Sequence, residues 1–385
     1  MEKTDNFLKL ILHYIFFIAA IPVVMTFSGC SNEKPAHGND AVDSFKNMDY
    51  QINRGVNISH WLSQSRRRGE ERSNFIQKED IDFIASVGYD HIRIPIDEEQ
   101  MWDSLGNREP EAFDLLHKGI RWAAENGLRV VVDLHILRSH HFNEDEKPLW
   151  TDPAAQEQFF KCWRDLSEEL IIYPNGLVAY ELMNEPVADD PEEWNELVNK
   201  ALAVVRKNEP ERMVVIGSNR WQSVTTFDDL RVPDSDDHII LSFHFYIPFI
   251  VTHYKAGWTD IADYEGTVQY PGLTVTDEDL EGLEGELYER IKREQKYYTR
   301  DSLEVLMAQP IRKAAQYGLP LYCGEWGALP TISQESRFQW YRDMRYILEK
   351  NGIAWANWDY KGGFGIVDGD VEKPYDDLIG ILVGN

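Results

Sequence analysis

Two glutamates stand where strands are predicted to end, and their side chains could act as a pair. Glu185 lies in the stretch YELMNEP and follows Asn184, while Glu325 lies in PLYCGEW. A carboxylic acid can protonate a departing oxygen while a second carboxylate attacks the carbon that it leaves, which is how an acetal is cleaved. With the two groups roughly 5 Å apart, the configuration of that carbon is retained. The pair therefore predicts a site for acetal cleavage.

Polar residues at other predicted strand ends indicate how the two glutamates divide the work. Arg93 and the hydroxyl of Tyr246 would keep Glu325 ionised if they lie beside it. Glu185, near His244 and apolar rings, would hold a proton more easily. This pattern predicts Glu185 as the acid and Glu325 as the nucleophile.

The elements that must position these residues alternate regularly along the chain. Eight strand-like runs are separated by amphipathic helical patterns, and the fifth connection, around 219–237, has the weakest helical pattern. The strand-like runs are QINRGVNI, YDHIRIPI, LRVVVDLH, LVAYELMN, RMVVIGS, HIILSFHFY, LPLYCGEW and IAWANWDY, and the helical patterns cover 78–87, 113–126, 155–170, 193–207, 303–317 and 334–351. This rhythm predicts an α/β fold, and the count of eight favours a closed (β/α)8 TIM barrel with a single catalytic domain.

A doubly wound open sheet is the alternative fold, but it would normally carry a Gly-rich loop after its first strand, and RGVNISHWL is not one. In a closed barrel the carboxyl ends of the strands meet at one mouth. His135, at the end of the third strand, and Trp358, at the end of the eighth, would then join the two glutamates. The long segment 247–302 after the sixth strand is rich in aromatic residues and predicts a wall beside that mouth.

Composition narrows the class of ligand. The chain has 39 basic and 66 acidic residues and a formal charge of −27, which argues against nucleic acid as a partner. Twelve Trp, 18 Tyr and 17 Phe are more rings than a core of this size needs, so some are expected to face a ligand. Cys162 and Cys323 have no nearby cysteine partners and are expected to be buried free thiols. A neutral ligand such as a sugar is compatible with this acidic surface, although solubility alone would explain the charge equally well. We also expect a monomer.

The N-terminal residues predict export and a lipid anchor. The apolar run 7–27 is followed by SGC, which is typical of a bacterial lipoprotein signal cleaved before Cys30. We therefore expect a signal peptide at 1–29, a flexible tether at 30–49 and a catalytic domain at 50–385, with the protein anchored to the outer membrane, on its periplasmic side or at the cell surface. The alternative is an uncleaved anchor helix, because the apolar run is close to spanning length.

Seven short motifs resemble, in order, those of glycoside hydrolase family 5, the cellulase family. They are RGVN (54–57), IRIP (92–95), VVVDLH (130–135), YELMNEP (180–186), HFY (244–246), GEWG (324–327) and WANWDY (355–360). The resemblance spans about residues 50–383. It implies a retaining β-glycanase on a (β/α)8 barrel, with Glu185 as acid/base and Glu325 as nucleophile. It implies no cofactor.

The resemblance also implies roles for the residues around the pair. Asn184 matches the residue that holds the sugar 2-hydroxyl, and Arg93 and Tyr246 match those that orient the nucleophile and keep it ionised. His135 and His244 match pocket histidines. Trp358 matches the platform under the sugar that is cleaved, and the substrates implied are β-1,4-linked backbones, glucan first and mannan or mixed specificity as the alternative.

Three further residues are candidates for substrate contact. The first βα loop departs from the family pattern with NISHWL, which predicts His60 and Trp61 near the negative subsites. Trp221, in SNRW after the fifth strand, is either a second stacking platform or a core residue.

Two rival hypotheses remain. His135, His140 and His141 with Asp133 could form a metal cluster, although DLHILRSHH offers no clear fourth ligand. A surface glycan-binding lipoprotein without activity would also fit the aromatic loops and the anchor, but both glutamates are retained.

Overall fold

The computed structural model describes residues 38–233 and 236–384. The predicted signal peptide and Cys30 lie outside these residues. No helix within the described ranges has both the length and the apolar character needed to cross a bilayer.

Eight parallel strands close into a barrel, which confirms the predicted (β/α)8 architecture and rules out the open sheet. The strands are β1 (Arg54–Asn57), β2 (His91–Asp97), β3 (Arg129–Ile136), β4 (Val178–Glu181), β5 (Val214–Gly217), β6 (Ile239–Phe245), β7 (Leu321–Trp326) and β8 (Ala354–Asn357). Each strand pairs with its neighbour in the chain, and β8 pairs with β1 to complete the ring. All eight fall inside the runs expected from the sequence, apart from one-residue extensions at the ends of β2 and β3.

The helices cover the outside of the barrel. The longer ones are Lys78–Ser86, Pro110–Glu125, Pro153–Leu170, Pro191–Arg206, Gly285–Glu294, Arg300–Leu306, Ala308–Tyr317, Gln334–Lys350 and Asp376–Val383. Helices of a single turn are Glu70–Ser73, Glu98–Met101, Asn219–Gln222 and Phe249–Thr252. Short 3-10 helices lie at Pro148–Trp150, Phe227–Asp229 and Glu278–Leu280. Three of the long helices begin with proline, whose fixed φ suits the first helical position. The fifth connection contains only single turns, in agreement with its weak pattern.

Alternation along β3 divides the barrel interior into layers. Val131, Asp133 and His135 are two residues apart, so their side chains point to the same face of the strand. Val131 packs in an apolar cluster with Val215, Ile240 and other inward residues. The interior is therefore apolar at its base and becomes polar toward the carboxyl ends of the strands.

A register shift between β6 and β7 aligns two site residues. Phe243 pairs with Cys323, but the next residue, His244, pairs with Glu325, so Gly324 is skipped. A bulge of this kind re-aims the side chains that follow it. It brings the imidazole of His244 and the carboxyl of Glu325 to neighbouring positions at the mouth.

The long segment after β6 is folded. Two short antiparallel strands, Gly272–Leu273 and Tyr297–Tyr298, enclose the amphipathic helix Gly285–Glu294. Trp258, in the first part of the segment, is 63% exposed. The segment is therefore a small subdomain with an aromatic side chain at its surface.

The prediction of a flexible tether at 30–49 is wrong for its second half. Residues Gly38–Asp43 form a helix, and Ala41 and Phe45 are buried. The guanidinium of Arg129 lies 5.6 Å from the Phe45 ring centroid. Ala41 lies on the helix and Phe45 in the turn that follows it, and these two apolar side chains dock the otherwise polar segment onto the barrel.

The close approach of Gly55 to the His91 ring allows a test of the packing beneath the site. A Cβ added to this residue would lie 2.2 Å from the ring of His91, which is itself buried. We expect Gly55→Ala to lower the free energy of unfolding by about 1–3 kcal/mol, measured by chemical denaturation, because the ring cannot move away freely. Gly257→Ala is the matched control, because a Cβ there meets no atom within 4 Å. Equal stability of the two variants would contradict this account.

Candidate active site

A single buried guanidinium connects the polar groups at the centre of the site. Arg93, on β2, is fully buried, and five side chains surround its guanidinium. It donates hydrogen bonds to Glu181 at 2.7 Å from Nε, to Asn57 at 2.9 Å and Glu325 at 2.8 Å from Nη1, and to Asn184 at 2.9 Å from Nη2, and it forms an ion pair with Asp133, whose Oδ2 lies 3.0 Å from Nη2. Burial opposes the charge on Arg93, but three neighbouring carboxylates outweigh it and raise the pKa well above its usual value. Arg93 is therefore a permanent cation in the barrel.

Glu325 is the carboxyl group that this cation contacts at the mouth. Its Oε1 accepts from Arg93, and its Oε2 accepts from the hydroxyl of Tyr246 at 3.0 Å. Burial raises the pKa of Glu325, whereas the charge of Arg93 and the Tyr246 hydrogen bond oppose that rise. Both oxygens thus have donors that favour the ionised form.

Glu185 has a different environment. Its Oε1 lies 2.9 Å from Nδ1 of His244, and its backbone has a φ of 44°, in the left-handed region. Burial and then the charge of Glu325 raise the pKa of Glu185 well above its usual value. Burial also holds the pKa of His244 well below its usual value, so this imidazole is neutral.

The two carboxyl groups are close enough to share one negative charge. One oxygen of Glu185, one oxygen of Glu325 and one ring nitrogen of His244 lie within 4.8 Å of one another. Two carboxyl groups at this distance cannot both ionise easily, because their negative charges repel. The charge of Arg93 favours ionisation of Glu325. The site is therefore arranged to hold a proton on Glu185 and a charge on Glu325.

Three more of the expected site residues surround this pair. Asn184 and His135 are buried, and within the described ranges neither Nδ2 of Asn184 nor Nε2 of His135 has a hydrogen-bond partner. The other ring nitrogen of His135 lies 2.7 Å from Asp133. Trp358 lies parallel to the His135 ring, with centroids 5.5 Å apart. These groups provide two directed polar atoms beside an aromatic surface.

The structure separates the two candidates in the first βα loop. His60 has 35% of its side chain exposed, and its ring lies edge-on to Trp358 with centroids 6.5 Å apart. Trp61 is fully buried, with Nε1 donating to the carbonyl of Arg72, and its ring packs against Gly119 on the outer helix Pro110–Glu125. The prediction that Trp61 contacts substrate is wrong, because the chain turns at His60, which has a φ of 58°, and the Trp61 ring packs in the core.

Trp221 is not a core residue, since it is 45% exposed. Its Nε1 donates to the carbonyl of Phe142 at 3.2 Å, and its backbone N–H donates to the carbonyl of Pro186 at 3.2 Å. The ring is thus fixed beside the segment that carries Glu185, and the alternative of a core residue is wrong.

The histidines of DLHILRSHH do not form a metal cluster. Nε2 of His140 lies 3.1 Å from the backbone nitrogen of Val187 and accepts its hydrogen, while His135 contacts Asp133. Among the described residues, the ligand-type groups that lie close enough to share an ion are Glu185 with His244 and Glu325, and the surface run Asp236–His238. His140 instead ties the loop after β3 to the loop after β4.

Sequence reasoning gave the residues beneath the mouth no role around Arg93, and it considered Asp133 only as a metal ligand. Asn57, Asp133, Glu181 and Gln222 are fully buried and contact Arg93 or Glu181. Asp133 and Glu181 carried a signal, because each is a carboxylate inside an otherwise apolar strand. Gln222 carried none, since it lies in a loop whose conformation the sequence did not indicate.

Comparison with known proteins agrees with this site. The profile of the cellulase family, glycosyl hydrolase family 5, matches residues 45–363. Endoglucanase C of Acetivibrio thermocellus is 31% identical over 344 residues, which cover 85% of this chain and 97% of that protein. Cellodextrinase A of Ruminococcus flavefaciens is 30% identical over 308 residues, which cover 79% of this chain and 84% of that protein.

Solved structures show the same fold. Endoglucanase Cel5A of Thermotoga maritima has a TM-score of 0.70 and 25% identity, covering 89% of this chain and 99% of that chain. A structure of Cel5A with mannotriose has a TM-score of 0.69 and 25% identity, covering 89% of this chain and all of that one. The family match, the endoglucanase relatives and the glutamate pair lead to one conclusion: the chain is a glycoside hydrolase that belongs to glycosyl hydrolase family 5, the cellulase family.

Proposed function

We propose that the protein is a retaining, endo-acting β-glycoside hydrolase that cleaves β-1,4-glucan. The observation that carries this proposal is the approach of the Glu185 and Glu325 oxygens to within 4.8 Å. Retaining enzymes hold their carboxyl groups about 5–5.5 Å apart, whereas inverting enzymes separate them by about 6.5–9.5 Å to admit a water molecule. The short separation favours direct attack by one carboxylate.

The reaction then follows from the different surroundings of the two groups. Glu325, ionised beside Arg93, attacks the anomeric carbon, and the bond to the leaving oxygen breaks as Glu185 donates its proton to that oxygen. Transfer of this proton leaves Glu185 as a carboxylate. It then takes a proton from water, the resulting hydroxide attacks the anomeric carbon from the opposite face, and the bond to Glu325 breaks. Two inversions restore the original configuration.

The groups around the pair suit a sugar at the cleavage point. The free amide of Asn184 is placed to donate to a 2-hydroxyl, and Trp358 offers a flat apolar surface for the sugar ring. Because Glu185 protonates the leaving group, the exposed ring of Trp221 beside it belongs on the leaving-group side. His60, next to Trp358, belongs on the opposite side. Aromatic surfaces on both sides favour binding within a chain rather than at its end.

The relatives support glucan as the backbone. Endoglucanase C is 31% identical to this chain, and the match covers 97% of that protein. The Cel5A structures include one complex with cellobiose and one with mannotriose, which makes mannan, or mixed glucan and mannan specificity, the second candidate. A binding protein without activity is less well supported, because both carboxyl groups and their partners are in place.

The choice between backbones is tested with defined polysaccharides. We expect the highest kcat/KM on soluble β-1,4-glucan or mixed-linkage glucan, with lower values on mannan, xyloglucan and xylan. An endo pattern would lower the viscosity of the solution early, while few reducing ends have formed. A higher kcat/KM on mannan would replace glucan with the second candidate, and glycan binding without hydrolysis of any substrate would favour the binding protein.

The roles of the two glutamates are tested by their different dependence on the leaving group. Glu325→Ala should lower kcat/KM by about 10⁴-fold or more on every substrate, because the covalent step is lost. Glu185→Ala should lower kcat/KM on cello-oligosaccharides but largely retain it on a dinitrophenyl cellobioside, whose leaving group needs no proton.

Azide supplies the second half of this experiment. In Glu185→Ala no base activates water, so the covalent intermediate should accumulate and azide should convert it to a β-configured glycosyl azide. NMR of the product checks the configuration. An α-configured azide would contradict retention, and wild-type activity in both variants would show that these residues are not the catalytic pair.

We further propose that the protein is a monomer anchored to the outer membrane through acylated Cys30. The support is the apolar run before SGC in the sequence. Cys30→Ala should move the protein from the membrane fraction to the soluble fraction or leave its signal uncleaved. Cys162→Ala, which changes a buried thiol, is the control and should fractionate as the wild type does. Unchanged fractionation of Cys30→Ala with an intact N-terminus would favour the anchor helix.

A further inference from the structure

The one-turn segment Asn219–Gln222 after β5 has an unusual backbone. Arg220, Trp221 and Gln222 have φ values of 55°, 62° and 49°, so three consecutive residues other than glycine occupy the left-handed region. Side chains disfavour this region, and runs of such residues persist only where the surroundings hold them there. The contacts of the segment show what holds it.

The segment is hydrogen-bonded along its length to the segment that carries Glu185. The side chain of Asn219 accepts from the backbone of Ala188 at 2.8 Å and donates to its carbonyl at 3.0 Å. The backbone N–H of Trp221 donates to the carbonyl of Pro186. The two loops therefore behave as one unit around the proposed acid.

Gln222 is the innermost member of this unit. It is fully buried, and its side chain reaches inward over Gly217, where a Cβ would lie 2.3 Å from the Gln222 amide nitrogen. The amide oxygen accepts from the backbone N–H of Glu185 at 3.1 Å, and the amide nitrogen donates to Oε1 of Glu181 at 3.1 Å. The Gln222 amide therefore accepts a hydrogen bond from the backbone of Glu185 and donates one to the carboxylate of Glu181.

The contact between Gln222 and Glu181 connects Gln222 to Glu325, the proposed nucleophile, through Arg93. The other oxygen of Glu181 accepts from Arg93 at 2.7 Å, and Arg93 donates to Glu325 at 2.8 Å. A continuous chain of hydrogen bonds therefore runs from the backbone of Glu185 through Gln222, Glu181 and Arg93 to the carboxylate of Glu325. Glu185 itself has a left-handed backbone, so its side-chain direction depends on whatever holds its N–H.

We propose that Gln222 is a positioning residue that fixes the direction of the Glu185 carboxyl relative to Glu325. This inference rests on the acid role proposed above for Glu185. Gln222 acts through hydrogen bonds of the protein and makes no contact with the reacting atoms. An amide satisfies both neighbours without gaining or losing a proton, because its oxygen accepts from the N–H of Glu185 and its nitrogen donates to Oε1 of Glu181.

Gln222→Met tests the proposal, since it keeps the length of the side chain and removes both hydrogen bonds. We expect kcat/KM on cello-oligosaccharides to fall about 10²-fold, the loss typical of a displaced catalytic group, with little change on the dinitrophenyl cellobioside. Asn219→Ala is the matched control, because it loosens the same loop without a contact to Glu185. It should lower Tm without changing the ratio of kcat/KM between the two substrates.

Gln222→Glu provides a second test if the methionine variant does not fold. The introduced carboxyl can still accept from the N–H of Glu185, but it needs a proton to contact Glu181. Activity on cello-oligosaccharides should therefore be nearest to wild type at acid pH and should fall, as pH rises and that proton is lost, at a lower pH than in the wild type.

The outcomes separate this inference from the proposed function. Equal loss on both substrates in Gln222→Met, or a wild-type pH profile in Gln222→Glu, would overturn the positioning role. If Glu185→Ala itself shows no dependence on the leaving group, the acid assignment fails, whatever the Gln222 variants do.

Discussion

The site depends on the need to keep one guanidinium charged inside a closed barrel. Arg93 has no access to solvent, so each of its N–H groups requires a protein acceptor. Strands β1, β2, β3, β4 and β7 all contribute to meeting this demand, either with Arg93 itself or with an acceptor. Because the acceptors come from different strands, the guanidinium fixes the relative positions of groups that are distant in the chain.

The same interaction determines where the protons reside. Arg93 supplies one positive charge to a buried region that contains Asp133, Glu181, Glu185 and Glu325, so the four carboxyl groups cannot all be ionised without a large cost. Burial raises the pKa of Asp133 to about 7 and that of Glu185 well above its usual value. An acid catalyst must retain a proton at neutral pH. Burial in the barrel is the main cause that raises the pKa of Glu185 and so favours its protonated form.

Much of the architecture followed from local patterns in the sequence. A parallel strand that is buried on both faces is mostly apolar, and its end is polar where it faces a pocket. Motifs such as IRIP and YELMNEP therefore indicated both the strands and the polar residues near their ends. The count of strands then placed Glu185 and Glu325 at a common mouth. Their partners His244 and Tyr246 were predictable for the same reason, because they lie at the end of β6. Arg93 was expected at a strand end too, but it is the third residue of β2 and lies below the mouth.

The sequence by itself thus determined the barrel, its polar end and the pair of glutamates, since these depend on the period and order of residues along the chain. Tertiary structure decided which way the loops face. Trp61 turned into the core while Trp221 remained at the surface, and a segment of the expected tether docked through Phe45. Gln222 became part of the site only because a left-handed backbone directs it inward. These outcomes depend on packing and on backbone angles that distant residues impose, and no local pattern records them.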